Sequence, residues 1–140
     1  MPDSSDNTTF WWTTRVYYED TDASGVVYHA NYLRYLERAR TEWVRHLGWS
    51  QEALRNELDL CFAVSEMTTR FLGPARLDDE LAVSVQITER KRASLRFTQA
   101  VHLGTPAGRC LIQAQVRAAC LTESTFKPRA LPALFFGSNA

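Results

Sequence analysis

The sequence contains no long apolar run, no paired cysteine motif and no excess of either charge. A membrane-spanning helix needs about 20 apolar residues, and no stretch approaches that length. The first ten residues are polar, which argues against a secretory leader. Cys61, Cys110 and Cys120 lack C-x-x-C spacing, so we expect small buried side chains in a reducing compartment. These absences favour a cytoplasmic protein that does not insert into a membrane.

Signatures of several other protein classes are also missing. Sixteen basic and sixteen acidic residues cancel, which gives no general attraction to nucleic acid. There is no G-x-S-x-G elbow and no glycine-rich phosphate loop. The three histidines and three cysteines show no metal-ligand spacing. The sequence therefore predicts no metal, no nucleic-acid partner and none of those catalytic routes.

Hydrophobic residues make up 45% of the 140 residues, and aromatic residues make up 11%. This content is enough for one domain with a sizeable core. Residues 10–18 are rich in aromatic and β-branched side chains and predict a strand. From Tyr32 to Leu47 apolar residues recur at spacings of three and four, which predicts a long helix with one buried face. Asn31 is a suitable N-cap for this helix, and Gly48 is a suitable stop.

The second half of the chain changes to a period of two. Ser50 can cap a short second helix, and about four strands joined by short turns follow it, with the most regular alternation at 110–120. Consecutive hairpins give an antiparallel sheet, against which the long helix must bury its apolar face. We therefore expect an α+β fold in a single domain, 10–132, with a disordered arm at 1–9 and an irregular tail at 133–140.

An acidic turn joins the first strand to the long helix. It contains Asp20, Asp22 and Gly25, and His29 follows just before the helix begins. A carboxylate, an imidazole and the unpaired amides of the helix start could converge at this corner. The alternative is a purely structural turn, because Asp often hydrogen-bonds its own turn. Glu19 and Asp20 are expected to be solvated or paired with arginines.

These residues and the motifs after them resemble the hotdog-fold acyl-CoA thioesterases. The nearest group is the one associated with the Tol-Pal envelope system and related to 4-hydroxybenzoyl-CoA thioesterase. The similarity covers nearly the whole domain, and its first motif is long and specific. The motifs are YEDTDASGVVYHANYL at 18–33, ERARTEW at 37–43, GPARLDDEL at 73–81, RASL at 92–95 and TFKPR at 125–129.

The resemblance implies an antiparallel sheet of about five strands wrapped around one helix, a homodimer or homotetramer, and hydrolysis of a CoA thioester. No cofactor is implied, since coenzyme A is part of the substrate. Asp22 falls on the catalytic carboxylate, as nucleophile or general base, and Tyr18 and His29 fall on the Tyr and His of the same motif. Ser24 stands where many relatives carry glycine, which leaves the backbone freedom of the turn to Gly25.

A basic strand turn is the predicted site for the phosphates of CoA. Arg90, Lys91 and Arg92 lie together there, and Ser94 follows them. Guanidinium and ammonium groups bind phosphate well, and in relatives this loop commonly lies near the nucleotide. The alternative is a solvated hairpin without a ligand.

The acyl group is expected against Val64 and Ser65, which match the strand that lines the thioester pocket in relatives. Tyr28 is a further substrate-binding candidate, and with Tyr32 and Tyr35 it hints at a short or aromatic acyl group. Amides at the helix start, near Tyr28 and His29, could polarise the thioester carbonyl.

Two other functions fit the same motifs. A hotdog dehydratase also pairs an acid with a histidine, held over the α and β carbons of an acyl-CoA. A non-catalytic module would bind acyl-CoA or an acyl-carrier protein, or join an envelope complex. The presence of Asp22 argues against binding alone. These residues do not specify the acyl chain length, the pathway or the choice between dimer and tetramer.

Overall fold

The computed structural model describes residues 8–135, which form one antiparallel sheet packed against a long helix. Of the expected N-terminal arm, 1–7 lie outside the described residues. The strands are β1 (Phe10–Arg15), β2 (Leu60–Phe71), β3 (Glu80–Lys91), β4 (Ser94–Leu103), β5 (Cys110–Thr122) and β6 (Lys127–Pro128). Their order is β1-β3-β4-β5-β2, and β6 pairs with β5 beside this path. The predicted α+β class and antiparallel sheet are confirmed.

Two helices lie between β1 and β2, namely α1 (Asn31–His46) and α2 (Gln51–Leu58). After α1, Gly48 adopts a φ of +97° and donates its N–H to Arg45 O, the left-handed ending that glycine favours. Ser50 then caps α2 by accepting a hydrogen bond from Ala53 N–H at 2.9 Å. The predicted stop and the predicted second cap are both confirmed.

The buried face of α1 contacts β1, β3 and β4. The predicted apolar stripe is confirmed at Tyr32, Leu36 and Ala39, but it is wider than predicted, because Tyr35 and Val44 are also buried. The alternation predicted for β5 is also visible in its burial. Its buried members are Ile112, Ala114, Val116, Ala118 and Cys120.

Among residues 8–135, the strand β2 forms one edge of the sheet and pairs only with β5. Its register shifts between Val64 and Glu66, a bulge that leaves Ser65 out of the ladder. Val64 is 49% exposed and Phe71 50% exposed. This edge therefore carries apolar side chains and unpaired backbone groups, the features that favour pairing with another strand.

The end of the described chain is ordered, where an irregular tail was expected. Ala133–Phe135 form a short 3₁₀ helix, and Phe135 is 1% exposed. Its ring packs against Trp43 and Phe62, with centroids 5.9 and 5.2 Å away. The Nε of Arg90 also donates to Phe135 O at 2.6 Å. This segment therefore belongs to the core, while 136–140 lie outside the described residues.

Truncation of the Phe135 side chain is expected to destabilise the fold. Phe135→Ala should lower the free energy of unfolding by about 3 kcal/mol, the usual scale for a buried phenylalanine. Denaturant titration would measure the loss. Phe126→Ala is the matched control, because Phe126 is 64% exposed and should change stability little. Equal effects of the two changes would contradict the assignment of Phe135 to the core.

All three cysteines carry free thiols, and only Cys120 is buried. Cys61 and Cys110 are partly exposed, so the expectation of burial is confirmed for one residue alone. Desolvation, followed by the nearby Glu123, raises the pKa of Cys61 to about 11. A thiol with this pKa carries little thiolate at neutral pH and is a poor nucleophile.

Candidate active site

The acidic turn is a tight backbone loop that places Asp22 on the surface. Asp22 N–H donates to Val26 O at 2.9 Å, and Gly25 N–H donates to Asp22 O at 3.0 Å. Gly25 has a φ of +84°, a conformation that glycine adopts without a steric penalty. Ser24 has no positive φ, so its side chain in place of glycine does not strain this turn.

Ser24 contacts the Asp22 carboxylate directly. The backbone N–H and the hydroxyl of Ser24 both donate to Asp22 Oδ1, at 2.9 and 2.5 Å. The hydroxyl bond first, and the backbone bond second, lower the pKa of Asp22. Both Ser24 bonds end on Oδ1 and Asp22 is exposed, so the ionised carboxylate can present its other oxygen, Oδ2, to a ligand.

Asp22 and His29 face one pocket of about 710 Å³ that is open to solvent. The wall opposite the turn comes from the end of β2, where the Phe71 ring centroid lies 5.8 Å from that of His29. Tyr28 packs on the other side of the imidazole at 4.9 Å. The structure thus brings Asp22 and His29 together, as the sequence predicted. The pocket is lined by Asp22, Val26, Val27, His29, Tyr32, Phe71, Leu72, Gly73 and Pro74.

Two backbone amides at the start of α1 are unpaired. The N–H groups of His29 and Ala30 donate to no acceptor among the described residues. Tyr28 N–H, which was expected to be free, donates to Asp20 O at 3.1 Å. His29 lines the Asp22 pocket at the positive end of the helix dipole, and an unpaired N–H at this end of the helix is suited to an oxygen that gains negative charge.

Asn31 does not cap α1, contrary to the prediction. It is the first helical residue and is buried, and the cap position belongs to Ala30, which makes no side-chain bond. Asn31 Nδ2 instead donates to Asp20 Oδ1 at 3.0 Å. Asp20 is 8% exposed, so the expectation that it is solvated or paired with an arginine is wrong.

The remaining tyrosines are placed differently from one another. Tyr18 begins a short 3₁₀ helix, Tyr18–Asp20, and is 82% exposed outside the pocket lining. Tyr32 lines the pocket but is 2% exposed, and its hydroxyl accepts from Ala75 N–H. Tyr35 is fully buried. Of the three tyrosines expected near an acyl group, only Tyr28 is freely accessible.

Val64 and Ser65 lie apart from the Asp22 pocket. Val64 lines a second cavity of about 300 Å³ between α1, α2 and the sheet, together with Trp43 and Phe62. Ser65 Oγ donates to Arg117 O at 3.3 Å across the bulge. Within one chain, the structure does not bring these two residues to the acidic turn.

The basic turn between β3 and β4 is also separate from the Asp22 pocket. Arg90 holds Phe135 O, and Lys91 Nζ lies 3.8 Å from Glu89. Arg92 is exposed and Ser94 is partly buried. No residue of this turn lines the pocket. In a single chain, the expected phosphate site is therefore separate from the acidic turn.

Residues 8–135 contain no group of three or more His, Cys, Asp or Glu side chains that could hold a metal ion. No helix in that range is both long and apolar enough to cross a membrane.

A long helix packed on an antiparallel sheet, with an acidic turn at the helix start, defines the hotdog class of acyl-group enzymes that the motifs indicated. The family model of the thioesterase superfamily matches residues 24–110, more than half of the chain. The chain belongs to the thioesterase superfamily.

The relatives agree in sequence and in structure. The acyl-CoA thioester hydrolase YbgC of Escherichia coli O6:H1 is 49% identical over 127 residues, 90% of this chain and 92% of that protein. A probable thioesterase from Bartonella henselae superposes with a TM-score of 0.83 at 35% identity, covering 89% and 100% of the two chains. A mutant 4-hydroxybenzoyl-CoA thioesterase bound to 4-hydroxybenzoyl-CoA shares the fold at 22% identity, with a TM-score of 0.81 over 91% and 96%.

Proposed function

We propose that the chain hydrolyses an acyl-CoA thioester to a free carboxylic acid and CoA. The observation that carries the proposal is that one open pocket is lined by Asp22, whose pKa is lowered, and by His29, whose backbone N–H has no acceptor among the described residues. The 49% identity to an acyl-CoA thioester hydrolase over most of both chains supports the same chemistry.

In this proposal Asp22 acts through its Oδ2. As a nucleophile, this oxygen bonds to the thioester carbonyl carbon, the C–S bond breaks, and CoA leaves as a thiolate. Water then cleaves the mixed anhydride and regenerates the carboxylate. As a general base, Oδ2 instead takes a proton from the attacking water. In both routes the leaving thiolate is stable enough to need no strong acid.

The His29 amide stabilises the carbonyl oxygen as it becomes negative. An N–H donor already in place at a helix start costs no reorganisation when charge develops. The imidazole of His29, packed between Tyr28 and Phe71, orients the acyl group. The catalytic role expected for Tyr18 stays a prediction, because Tyr18 is mostly exposed and lies outside the pocket lining of the single chain.

A second copy of the chain completes the substrate site. The open edge of β2 carries Val64 and Phe71, and a symmetric pairing of two such edges would protect both. Val64 and Ser65 of one copy would then approach the acyl group bound at the acidic turn of the other. The open edge of β2 is the observation that supports the predicted homodimer or homotetramer. Contact with an acyl-carrier protein or an envelope complex, and a cytoplasmic location, remain predictions.

The phosphates of CoA bind at the basic turn in this proposal. Arg92 and Ser94 make no side-chain bond to another described residue, and Lys91 has only a long contact with Glu89. Arg90 contributes through the guanidinium nitrogens that do not hold Phe135. The proposal predicts that phosphate-free thioesters bind more weakly than acyl-CoA does.

Thiol release from short, long and aromatic acyl-CoAs tests the proposed function. We expect turnover with at least one of them and identify the substrate class from the highest kcat/KM. Binding of acyl-CoA without any thiol release would favour a non-catalytic module. Hydration or dehydration of the acyl chain with the thioester intact would favour a dehydratase.

The pH dependence of turnover tests the Ser24 contact. Asp22 must be ionised to act, so activity falls as the pH drops through the pKa of Asp22. Ser24→Ala removes the hydroxyl bond that lowers this pKa most, so the pKa rises and the acid limb of the kcat profile should move to higher pH.

Ser124→Ala is the control for this prediction. Its hydroxyl donates to another carboxylate, that of the partly buried Asp59, at 2.6 Å, and its loss should leave the acid limb in place. An acid limb that stays unmoved in Ser24→Ala would show that the rate does not depend on the Asp22 carboxylate.

A further inference from the structure

A buried carboxylate lies directly behind the acidic turn. Asp20 Oδ2 accepts from Tyr17 N–H at 2.9 Å, and Asp20 Oδ1 accepts from Asn31 Nδ2 at 3.0 Å. Its backbone oxygen accepts from Tyr28 N–H at 3.1 Å. One residue therefore joins the chain before the turn to two points after it.

We propose that Asp20 is a positioning residue, which holds the Asp22 carboxylate and the His29 amide at the separation that catalysis requires. This inference rests on the proposed function. Asp22 lies two residues after Asp20, and His29 lies between the two residues, Tyr28 and Asn31, that Asp20 binds. A shift of Asp20 would move both reacting groups relative to each other.

The contacts favour a carboxylate at this position. Tyr17 N–H and Asn31 NH₂ both donate to Asp20, and the Asn31 oxygen accepts from Arg34, which favours this orientation of the amide. An ionised carboxylate offers only acceptors. An asparagine at position 20 would place its own NH₂ against one of these donors. Buried donors and acceptors that lose their partners are costly, so the turn would rearrange.

No cation neutralises this carboxylate. Among residues 8–135, no lysine, arginine or histidine forms an ion pair with Asp20. The buried hydroxyl of Tyr35 lies beside Asp20; burial first, and the neighbouring Asp20 second, raise the pKa of Tyr35. A buried charge held by dipoles alone is expensive to maintain, which favours a functional reason for its presence.

The decisive test exchanges the two side chains. Asp20→Asn alone should lower kcat by about 10- to 100-fold, since a displacement of about 1 Å in an active site can cost 10²-fold. KM should change much less. Combining Asp20→Asn with Asn31→Asp restores one donor facing one acceptor and should recover most of kcat. The carboxylate introduced at position 31 would also keep the acceptor that Arg34 now contacts.

Asp59→Asn is the matched control. Asp59 likewise accepts a backbone N–H and a side-chain donor, both from Ser124, at 2.9 and 2.6 Å, but it lines neither pocket. Folding of each variant is followed by denaturant titration. Three results would each overturn the proposal. Asp20→Asn could have the kcat of the parent, Asp59→Asn could lose as much kcat as Asp20→Asn does, or the double variant could be as slow as Asp20→Asn alone.

A second measurement does not depend on turnover. Hydrogen exchange at the Tyr28 amide should accelerate in Asp20→Asn, stay slow in Asp59→Asn and slow again in the double variant. Unchanged exchange at Tyr28 would overturn the positioning role even if the parent hydrolysed no thioester. A parent without turnover, with the exchange pattern as expected, would instead overturn the proposed function and leave the structural link intact.

Discussion

Replacing Asp22 by Asn is expected to lower kcat for acyl-CoA hydrolysis by about 10³-fold, within the range for loss of a catalytic carboxylate. The amide can neither attack the carbonyl carbon nor take a proton from water. It does keep an oxygen that can accept the two Ser24 bonds, so the turn should stay folded. Steady-state thiol release and the denaturant midpoint, measured on the same preparations, would separate the two effects.

Asp78→Asn is the control for charge and stability. Asp78 is exposed in a nearby turn, outside the pocket lining. Its positive φ of 72° is one that Asn also tolerates. We expect its kcat to match that of the parent. Similar kcat values for Asp22→Asn and the parent would remove Asp22 from the mechanism.

The second large effect concerns a backbone group, the His29 amide. His29→Pro removes both the N–H and the imidazole, whereas His29→Ala removes only the imidazole. Loss of one oxyanion donor typically costs about 10²–10³ in kcat, so the proline variant should be slower than the alanine variant by roughly that factor. The ratio of the two kcat values isolates the contribution of the amide.

Proline fits the local backbone at this position. Asn31 N–H donates to Tyr28 O at 2.8 Å, so His29 is the second residue of a turn, where proline is favoured. The following Ala30 has a φ of −66° and a ψ of −22°, as a type I turn continuing into a helix requires. No existing hydrogen bond is lost, because the His29 N–H has no acceptor in the described part of the chain. Equal kcat values for two folded variants would place the oxyanion donor elsewhere.

Periodicity was sufficient to predict most of the fold. The spacing from Tyr32 to Leu47 predicted α1, and the alternation at 110–120 predicted β5, because one buried face imposes a period on local sequence. Gly48 and Ser50 marked the helix ends through chemistry that acts over a few residues. Membership of the thioesterase family followed from the length of the first motif and is confirmed by the family match.

Contacts that depend on tertiary structure were not predictable in the same way. Asp20 and Asn31 are 11 residues apart, and their bond exists only because the turn folds back on the helix start. From the local sequence, Asp20 is predicted to be an ordinary surface acid and Asn31 an ordinary N-cap. Phe135 shows the same limit, since a single aromatic anchor has no period and its partners come from α1 and β2.

The candidate site was predicted in part. Asp22 and His29 line one pocket, as expected, because the turn and the helix start are adjacent in sequence. Val64 belongs to β2 and Arg92 to the turn between β3 and β4, and both lie away from the Asp22 pocket in the single chain. Their relation to Asp22 depends on how two chains associate, which the sequence of one chain does not encode in any local pattern. Their roles as substrate contacts therefore stay predictions.

The most direct test is to measure CoA thiol and free carboxylic acid together from one acyl-CoA, using the purified chain. Our account predicts one thiol and one acid for each thioester consumed, and formation of both products slowed about 10³-fold in Asp22→Asn. Consumption of the acyl-CoA without thiol, or thiol release that does not depend on Asp22, would contradict it.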